Sequence, residues 1–119
     1  MNLQMLIDKI KKSPEYSRVG MILCHNGVVR GTSRDGRKVS GLKIAVDHTK
    51  LIRIIDENKK RPGIAEILVE IEENKELSVG DDVMFIVVAG DIRDNVIPAL
   101  DDTLNRIKTT VTKKTEYYL

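Results

Sequence analysis

Aromatic residues are scarce in this sequence of 119 residues. It contains no tryptophan, one phenylalanine and three tyrosines, so its hydrophobic core must be built from isoleucine, valine and leucine. The scarcity also argues against a nucleic-acid-binding module, because such modules stack bases on aromatic side chains. RNA or nucleotide binding remains an alternative whose only support is a set of basic clusters, such as RDGRK and NKKR, in a chain of net charge +2.

Disulfides and membrane spans are also missing. Cys24 is the only cysteine, so no intrachain disulfide can form, and a reducing compartment is expected. No apolar run approaches the roughly 20 residues that a membrane-spanning helix needs. The N-terminal segment lacks the small-residue cleavage site of a signal peptide. These absences predict a cytoplasmic protein that does not bind membranes.

Motifs for a metal ion or a nucleotide cofactor are absent too. His25, His48 and Cys24 are too few and wrongly spaced for a metal site, and no glycine-rich phosphate loop is present. Cys24 and His25 are neighbours on a predicted strand, so their side chains point to opposite faces. That arrangement favours a buried, inert thiol over a nucleophile. We therefore predict neither a metal nor a resident cofactor.

The hydrophobic pattern predicts seven elements in the order helix, strand, strand, helix, strand, strand, helix. They lie at residues 2–12, 18–29, 39–47, 48–63, 64–73, 83–90 and 91–111. The run 83–90 is continuously apolar, which is typical of a central strand covered on both faces. Pro98 predicts a kink in the last helix or a late start of its regular part.

The order of elements predicts one α+β domain over residues 1–119. Asp35-Gly36 is a strong turn signal and predicts a hairpin between the first two strands. Helices do not follow every strand, which favours a mainly antiparallel sheet with flanking helices over a doubly wound sheet. Residues 115–119 have no apolar period and are expected to form a loose tail.

Five basic residues lie near predicted element ends. Arg30 ends the first strand, Arg93 begins the last helix, Lys108 lies in that helix's last turns, and Lys113 and Lys114 follow. All five could be solvated surface charges, and Lys108 would also complement a helix C-terminus. A sharper interpretation is an anion-binding pocket assembled from strand ends, a common place for sites. Both interpretations stay open from the residues alone.

The arrangement of these segments resembles the MoaE family, the large catalytic subunit of molybdopterin synthase. The resemblance runs from about Val19 to Glu116. The segments that carry it are GVVRGTSRDGRKVSGL, EENKELSVGDDVMFIVV, GDIRDN, NRIKTTV and TKKTEY. No single one of these motifs is specific, and their order and spacing carry the likeness.

The resemblance implies an α/β-hammerhead fold, a homodimer, and a heterotetramer with a small ubiquitin-like sulfur carrier of the MoaD type. It implies a sulfurtransferase. Such an enzyme moves sulfur twice from the carrier's C-terminal thiocarboxylate to cyclic pyranopterin monophosphate, which forms the dithiolene of molybdopterin. Other proteins insert the metal later in this family, so the resemblance requires no metal or cofactor here.

The resemblance also implies roles for the basic residues. Arg30 and Arg93 would bind the pterin substrate, Lys108 would be the central catalytic lysine, and Lys113 or Lys114 would be the second lysine. Lys108 follows a buried helix position by about 100°. We therefore expect it at the border of the buried face, partly removed from water.

Three departures from the family pattern leave the activity open. Glu72-Glu73 replaces one His-Arg pair, Ile92 replaces the histidine of a second pair, and the tail has no tryptophan. Two interpretations follow. One is an active synthase subunit, and the other is a MoaE-like relative that keeps the fold and partner binding but is catalytically impaired.

Overall fold

The protein contains two three-stranded antiparallel sheets with flanking helices, and a computed structural model describes all 119 residues. The elements are α1 (Leu3–Lys11), β1 (Met21–Val28), β2 (Val39–Val46), α2 (His48–Lys59), β3 (Ile64–Ile71), β4 (Leu77–Ser78), β5 (Asp82–Gly90), α3 (Arg93–Arg106) and β6 (Thr112–Tyr118). The strand orders are β1-β5-β3 and β4-β2-β6. The predicted α+β class is therefore confirmed.

Strand β5 is the central strand of the first sheet and is buried on both faces. One face packs Phe85, Val87 and Ala89 against α1. The other face directs Ile86 and Val88 into the larger core that α2 and α3 cover. This double burial explains the continuous apolar run and confirms the predicted central strand.

Helix α3 leads from this core towards the second sheet. It continues through Pro98 to Arg106, and a π-helical turn, Ile107–Val111, follows it directly. At its start, the Asp91 carboxylate accepts hydrogen bonds from the Asn95 side chain at 2.8 Å and from the Ile92 N–H at 2.7 Å. These bonds lower the pKa of Asp91. None of the helices is both long and apolar enough to cross a lipid bilayer.

The predicted hairpin between the first two strands is wrong. Strand β1 pairs with β5, whereas β2 pairs with β4 and β6. The turn signal itself is correct, because Gly36 has a φ of 85° and its N–H donates to the carbonyl of Ser33 at 3.0 Å. Only the isolated bridge between Thr32 and Lys38 flanks the turn. The segment 29–38 therefore carries the chain from one sheet to the other.

The expected loose tail is also wrong, because residues 112–118 form strand β6. Its pairing with β2 runs from Val46 opposite Thr112 to Val39 opposite Tyr118. The N–H of Leu119 adds a bond of 3.1 Å to the carbonyl of Lys38. Backbone hydrogen bonds hold this edge strand, so its sequence needs no apolar period.

Candidate functional site

A cleft of about 650 Å³ lies between the two sheets. Its lining comes from β1, the segment 29–38, β2, the end of β3, the start of β5, the π-helical turn and β6. Successive strands alternate between the two sheets, and two of the five crossings, the segment 29–38 and the π-helical turn after α3, lie at the cleft. Both crossings therefore contribute side chains that are not fixed inside a sheet.

The cleft is strongly cationic. Arg30, Arg34, Lys108 and Lys114 line it, and Glu116 is the only carboxylate among its lining residues. Opposite charge favours an anionic ligand in such a concave site. We call this site the cationic cleft.

Three of the five basic residues singled out in the sequence meet in the cationic cleft, namely Arg30, Lys108 and Lys114. Lys113 lines a separate, shallower groove beside β2. Successive side chains of a strand point to opposite faces, so β6 separates Lys113 from Lys114. Lys114, and not Lys113, faces the same cleft as Lys108.

Arg93 is not among the residues that line the cationic cleft. It is the first residue of α3, and Lys108 follows the end of that helix. A helix rises 1.5 Å per residue, which puts the two residues roughly 20 Å apart. Arg30 and Arg93 therefore do not converge within one chain.

Lys108 owes its position to the π-helical turn. Ile107 and Val111 anchor the turn in the core, with exposed fractions of 0% and 4%, and the Thr112 hydroxyl donates to the carbonyl of Ile107 at 3.4 Å. Lys108 between them is exposed, so the expectation of partial burial is wrong. The wider turn changes the angle between successive residues, and the 100° step of an α-helix no longer applies.

Arg30 is oriented by its own backbone neighbourhood. Its Nε donates a hydrogen bond of 2.8 Å to the carbonyl of Thr32, which leaves the terminal guanidinium nitrogens for other partners. On the β6 side, Lys114 Nζ lies 3.6 Å from a carboxylate oxygen of Glu116, whose side chain is only 19% exposed. This carboxylate positions one lysine without neutralising the cleft.

The half-buried ring of His25 carries a polar atom of the cleft that lacks a hydrogen-bond partner. Its Nε2 is shielded from solvent and makes no hydrogen bond. Burial, and secondly the nearby charge of Lys108, lowers the pKa of His25. Gly27 gives the ring room, because a Cβ there would lie 3.2 Å from Nε2. Cys24 packs on the opposite side of β1, towards α1, and burial raises the pKa of its thiol.

Glu73, one of the two carboxylates at a departure from the family pattern, is paired outside the cleft. Both Glu73 oxygens lie within 2.9 Å of His48 Nε2 at the start of α2. No group of three or more His, Cys, Asp or Glu side chains is clustered as a metal ion would require. The arginines and lysines of the cationic cleft suit the binding of an anion.

Sequence reasoning missed three residues of the cleft, Arg34, His25 and Glu116. Glu116 follows Lys114 by two positions, the spacing of one strand face, so recognition of β6 as a strand would have found it. His25 and Gly27 show the same spacing on β1. Arg34 had no such signal, because its position depends on the course of the segment 29–38.

Comparison with known proteins agrees with the fold. Molybdopterin synthase from Staphylococcus aureus has a TM-score of 0.81 at 23% identity, covering 100% of this chain and 86% of that chain. The molybdopterin cofactor biosynthesis protein E from Burkholderia multivorans has a TM-score of 0.77 at 19% identity, over 100% and 84%. A complex of subunits 1 and 2 of molybdopterin-converting factor from Helicobacter pylori gives 0.73 at 14%, over 99% and 84%.

The family comparison covers most of the chain. No curated protein sequence matches it, but the sequence model of the MoaE protein matches residues 2–110. The chain therefore belongs to the MoaE family.

Proposed function

We propose that this protein acts in molybdenum cofactor biosynthesis as the large, catalytic subunit of molybdopterin synthase. In this role it transfers sulfur from the thiocarboxylate of a MoaD-type carrier to cyclic pyranopterin monophosphate in the cytoplasm. The observation that carries the proposal is the convergence of Arg30, Lys108 and Lys114, from three separate segments, on one cleft.

The charges of the cationic cleft suit both reactants, because a thiocarboxylate and a cyclic phosphate are anions. Arginine forks match the oxygens of a phosphate, whereas lysine offers a compact charge and can move a proton. Arg30 binds the pterin substrate in this scheme. Lys108 contacts the thiocarboxylate and transfers protons, and Lys114 assists it as the second lysine.

The partner is a small sulfur carrier whose C-terminal tail enters the cationic cleft. The related Helicobacter pylori structure is a complex of two subunits, and family membership supports the same kind of assembly here. Two large and two small subunits would form a heterotetramer. The cleft is open to solvent at Lys108, which leaves a path for an extended tail.

A homodimer of the large subunit would explain Arg93. This arginine lies roughly 20 Å along α3 from its own cleft, so it can meet Arg30 only if a second copy supplies it. Light scattering at micromolar concentration should give twice the chain mass of 13.4 kDa. A monomer at that concentration would remove Arg93 from the substrate site.

The second candidate is a MoaE-like relative with impaired catalysis. Its support is the engagement of Glu73 with His48 where the family pattern has a His-Arg pair, together with Ile92 in place of a histidine. This protein would still bind the carrier but would form little or no molybdopterin.

A single-turnover assay with purified thiocarboxylated carrier and pyranopterin substrate separates the two candidates. The parent protein should form molybdopterin, and Lys108→Ala should abolish product while the fold and carrier binding stay intact. If the parent binds the carrier but forms no product, the impaired relative is the correct assignment. If Lys108→Ala is as active as the parent, the lysine mechanism is wrong.

A further inference from the structure

We propose that Arg34 is a second phosphate-binding arginine of the cationic cleft and holds the substrate's phosphate together with Arg30. The inference rests on the proposed function, because it concerns the same cleft and the same substrate. It adds a residue that lies in the turn of the segment 29–38 and lines the cleft beside Thr32 and Ser33.

The turn that carries Arg34 is well ordered by its own hydrogen bonds. Ser33 is only 8% exposed. Its hydroxyl oxygen accepts from the N–H of Arg37 at 3.1 Å, and the hydroxyl donates to the carboxylate of Asp35. The bond from Ser33 is the main reason that the pKa of Asp35 is lowered. Arg34 is therefore attached to a backbone that does not need to fold on substrate binding.

The two arginines of this turn have different surroundings. Arg37 lies over the ring of Tyr118, with its guanidinium carbon 3.6 Å from the ring centroid. Arg34 takes part in none of the ion pairs of the chain. It is exposed and lines the cationic cleft, whereas Arg37 does not. One arginine of the turn is thus engaged within the protein and the other is available to a ligand.

The arginines and the lysines of the cleft come from different segments of the chain. Arg30 and Arg34 come from the crossing at 29–38, and Lys108 and Lys114 come from the π-helical turn and β6. A planar guanidinium matches the paired oxygens of a phosphate better than an ammonium does. We therefore assign the phosphate to the two arginines and the thiocarboxylate to the two lysines.

The number of donors fits a cyclic phosphate. This group carries two non-bridging oxygens, each of which accepts hydrogen bonds. The Nε of Arg30 is already used by the carbonyl of Thr32, so Arg30 offers its terminal nitrogens alone. Arg34 supplies the additional donors that bind the second oxygen. In this way the site can hold the phosphate within one chain, without Arg93.

The test compares Arg34→Gln with the matched control Arg37→Gln, each in the complete complex with the carrier protein. Both variants remove one positive charge from the same turn. Equilibrium binding of cyclic pyranopterin monophosphate should be about 10- to 100-fold weaker for Arg34→Gln, the loss expected for a charge-assisted hydrogen bond. Arg37→Gln should stay within about twofold of the parent.

The kinetic readout separates binding from a structural effect. For Arg34→Gln, KM should rise by the same factor while the single-turnover rate at saturating substrate stays near that of the parent. The dependence of KM on salt should become less steep, because one charge fewer contacts the substrate. Unchanged thermal unfolding confirms that the turn is intact.

The outcomes distinguish this inference from the proposed function. If the parent binds the pterin and Arg34→Gln binds it equally well, Arg34 has no role and the proposed function stands. If the parent does not bind the pterin, the proposed function fails, and binding of inorganic phosphate is compared instead. Weaker phosphate binding by Arg34→Gln then supports the anion site, and no difference from the parent overturns it.

Discussion

Lys113 and Lys114 are adjacent, carry the same charge and lie on the same strand, yet they should differ sharply in their effect on sulfur transfer. Lys114 faces the cationic cleft, whereas Lys113 faces a separate groove beside β2. We expect Lys114→Ala to slow single-turnover molybdopterin formation and Lys113→Ala to leave it nearly unchanged. The two variants remove the same charge from the same strand and differ in the face of β6 that they affect, so the pair tests the orientation of β6.

The expected loss of transfer rate follows from the hydrogen bond that Lys114→Ala removes. A hydrogen bond to a charged group contributes about 1.5–3 kcal/mol. Each 1.4 kcal/mol is a factor of about ten in rate, so Lys114→Ala should slow transfer about 10- to 100-fold. Lys113 acts on the cleft only through solvent, where charges are largely screened beyond roughly 8 Å. Its removal should change the rate less than twofold.

Glu116 provides a second test of the position of Lys114 in the cleft. Lys114→Ala leaves this half-buried carboxylate, 3.6 Å from the former ammonium position, without its partner in a cleft that must accept two anions. The double variant Lys114→Ala/Glu116→Gln removes that repulsion and should recover part of the lost rate. Equal slowing by Lys113→Ala and Lys114→Ala, or a larger effect of Lys113→Ala, would refute the assigned orientation of β6.

Two further predictions concern stability. Ile107 is fully buried beside Lys108, so Ile107→Ala should lower the free energy of unfolding by about 2–5 kcal/mol in denaturant titrations; a loss below about 1 kcal/mol would contradict its role as an anchor. The pKa of His25 is lowered from its ordinary value of 6.5, so the unfolded chain binds this proton more readily than the native protein does. Stability should therefore fall as the pH drops below about 6.5 towards the lowered pKa, and His25→Phe should weaken that dependence; an unchanged pH profile would contradict it.

The first sheet was largely predictable from the sequence, because its pattern reports burial. The apolar run of β5 follows from the packing of one face on α1 and of the other on α2 and α3. Strand pairing was less predictable. Asp35-Gly36 correctly signals a turn, but a turn is local, whereas the partner of β1 is β5, much further along the chain.

Strand β6, in contrast, could not be predicted from the hydrophobic pattern. It is an edge strand that pairs with β2 alone, and backbone hydrogen bonds, which no side-chain pattern records, hold it in place. The choice between Lys113 and Lys114 depends on this register. A shift of one residue would exchange the two faces, so no inspection of the tail alone could decide between the lysines.

Three of the four cationic residues of the cleft lie where the chain passes from one sheet to the other, whereas Lys114 lies within β6. Arg30 and Arg34 belong to the crossing at 29–38, and Lys108 belongs to the π-helical turn between α3 and β6. Within a sheet, backbone pairing fixes each side chain on one of two faces, and one face here is apolar. At a crossing the backbone is not paired with a neighbouring strand, so charged side chains can converge without entering the core. Because strand pairing does not fix the segment 29–38, the hydrophobic pattern gave no signal for Arg34. The family resemblance indicated Arg30 and Lys108 by their positions in the sequence.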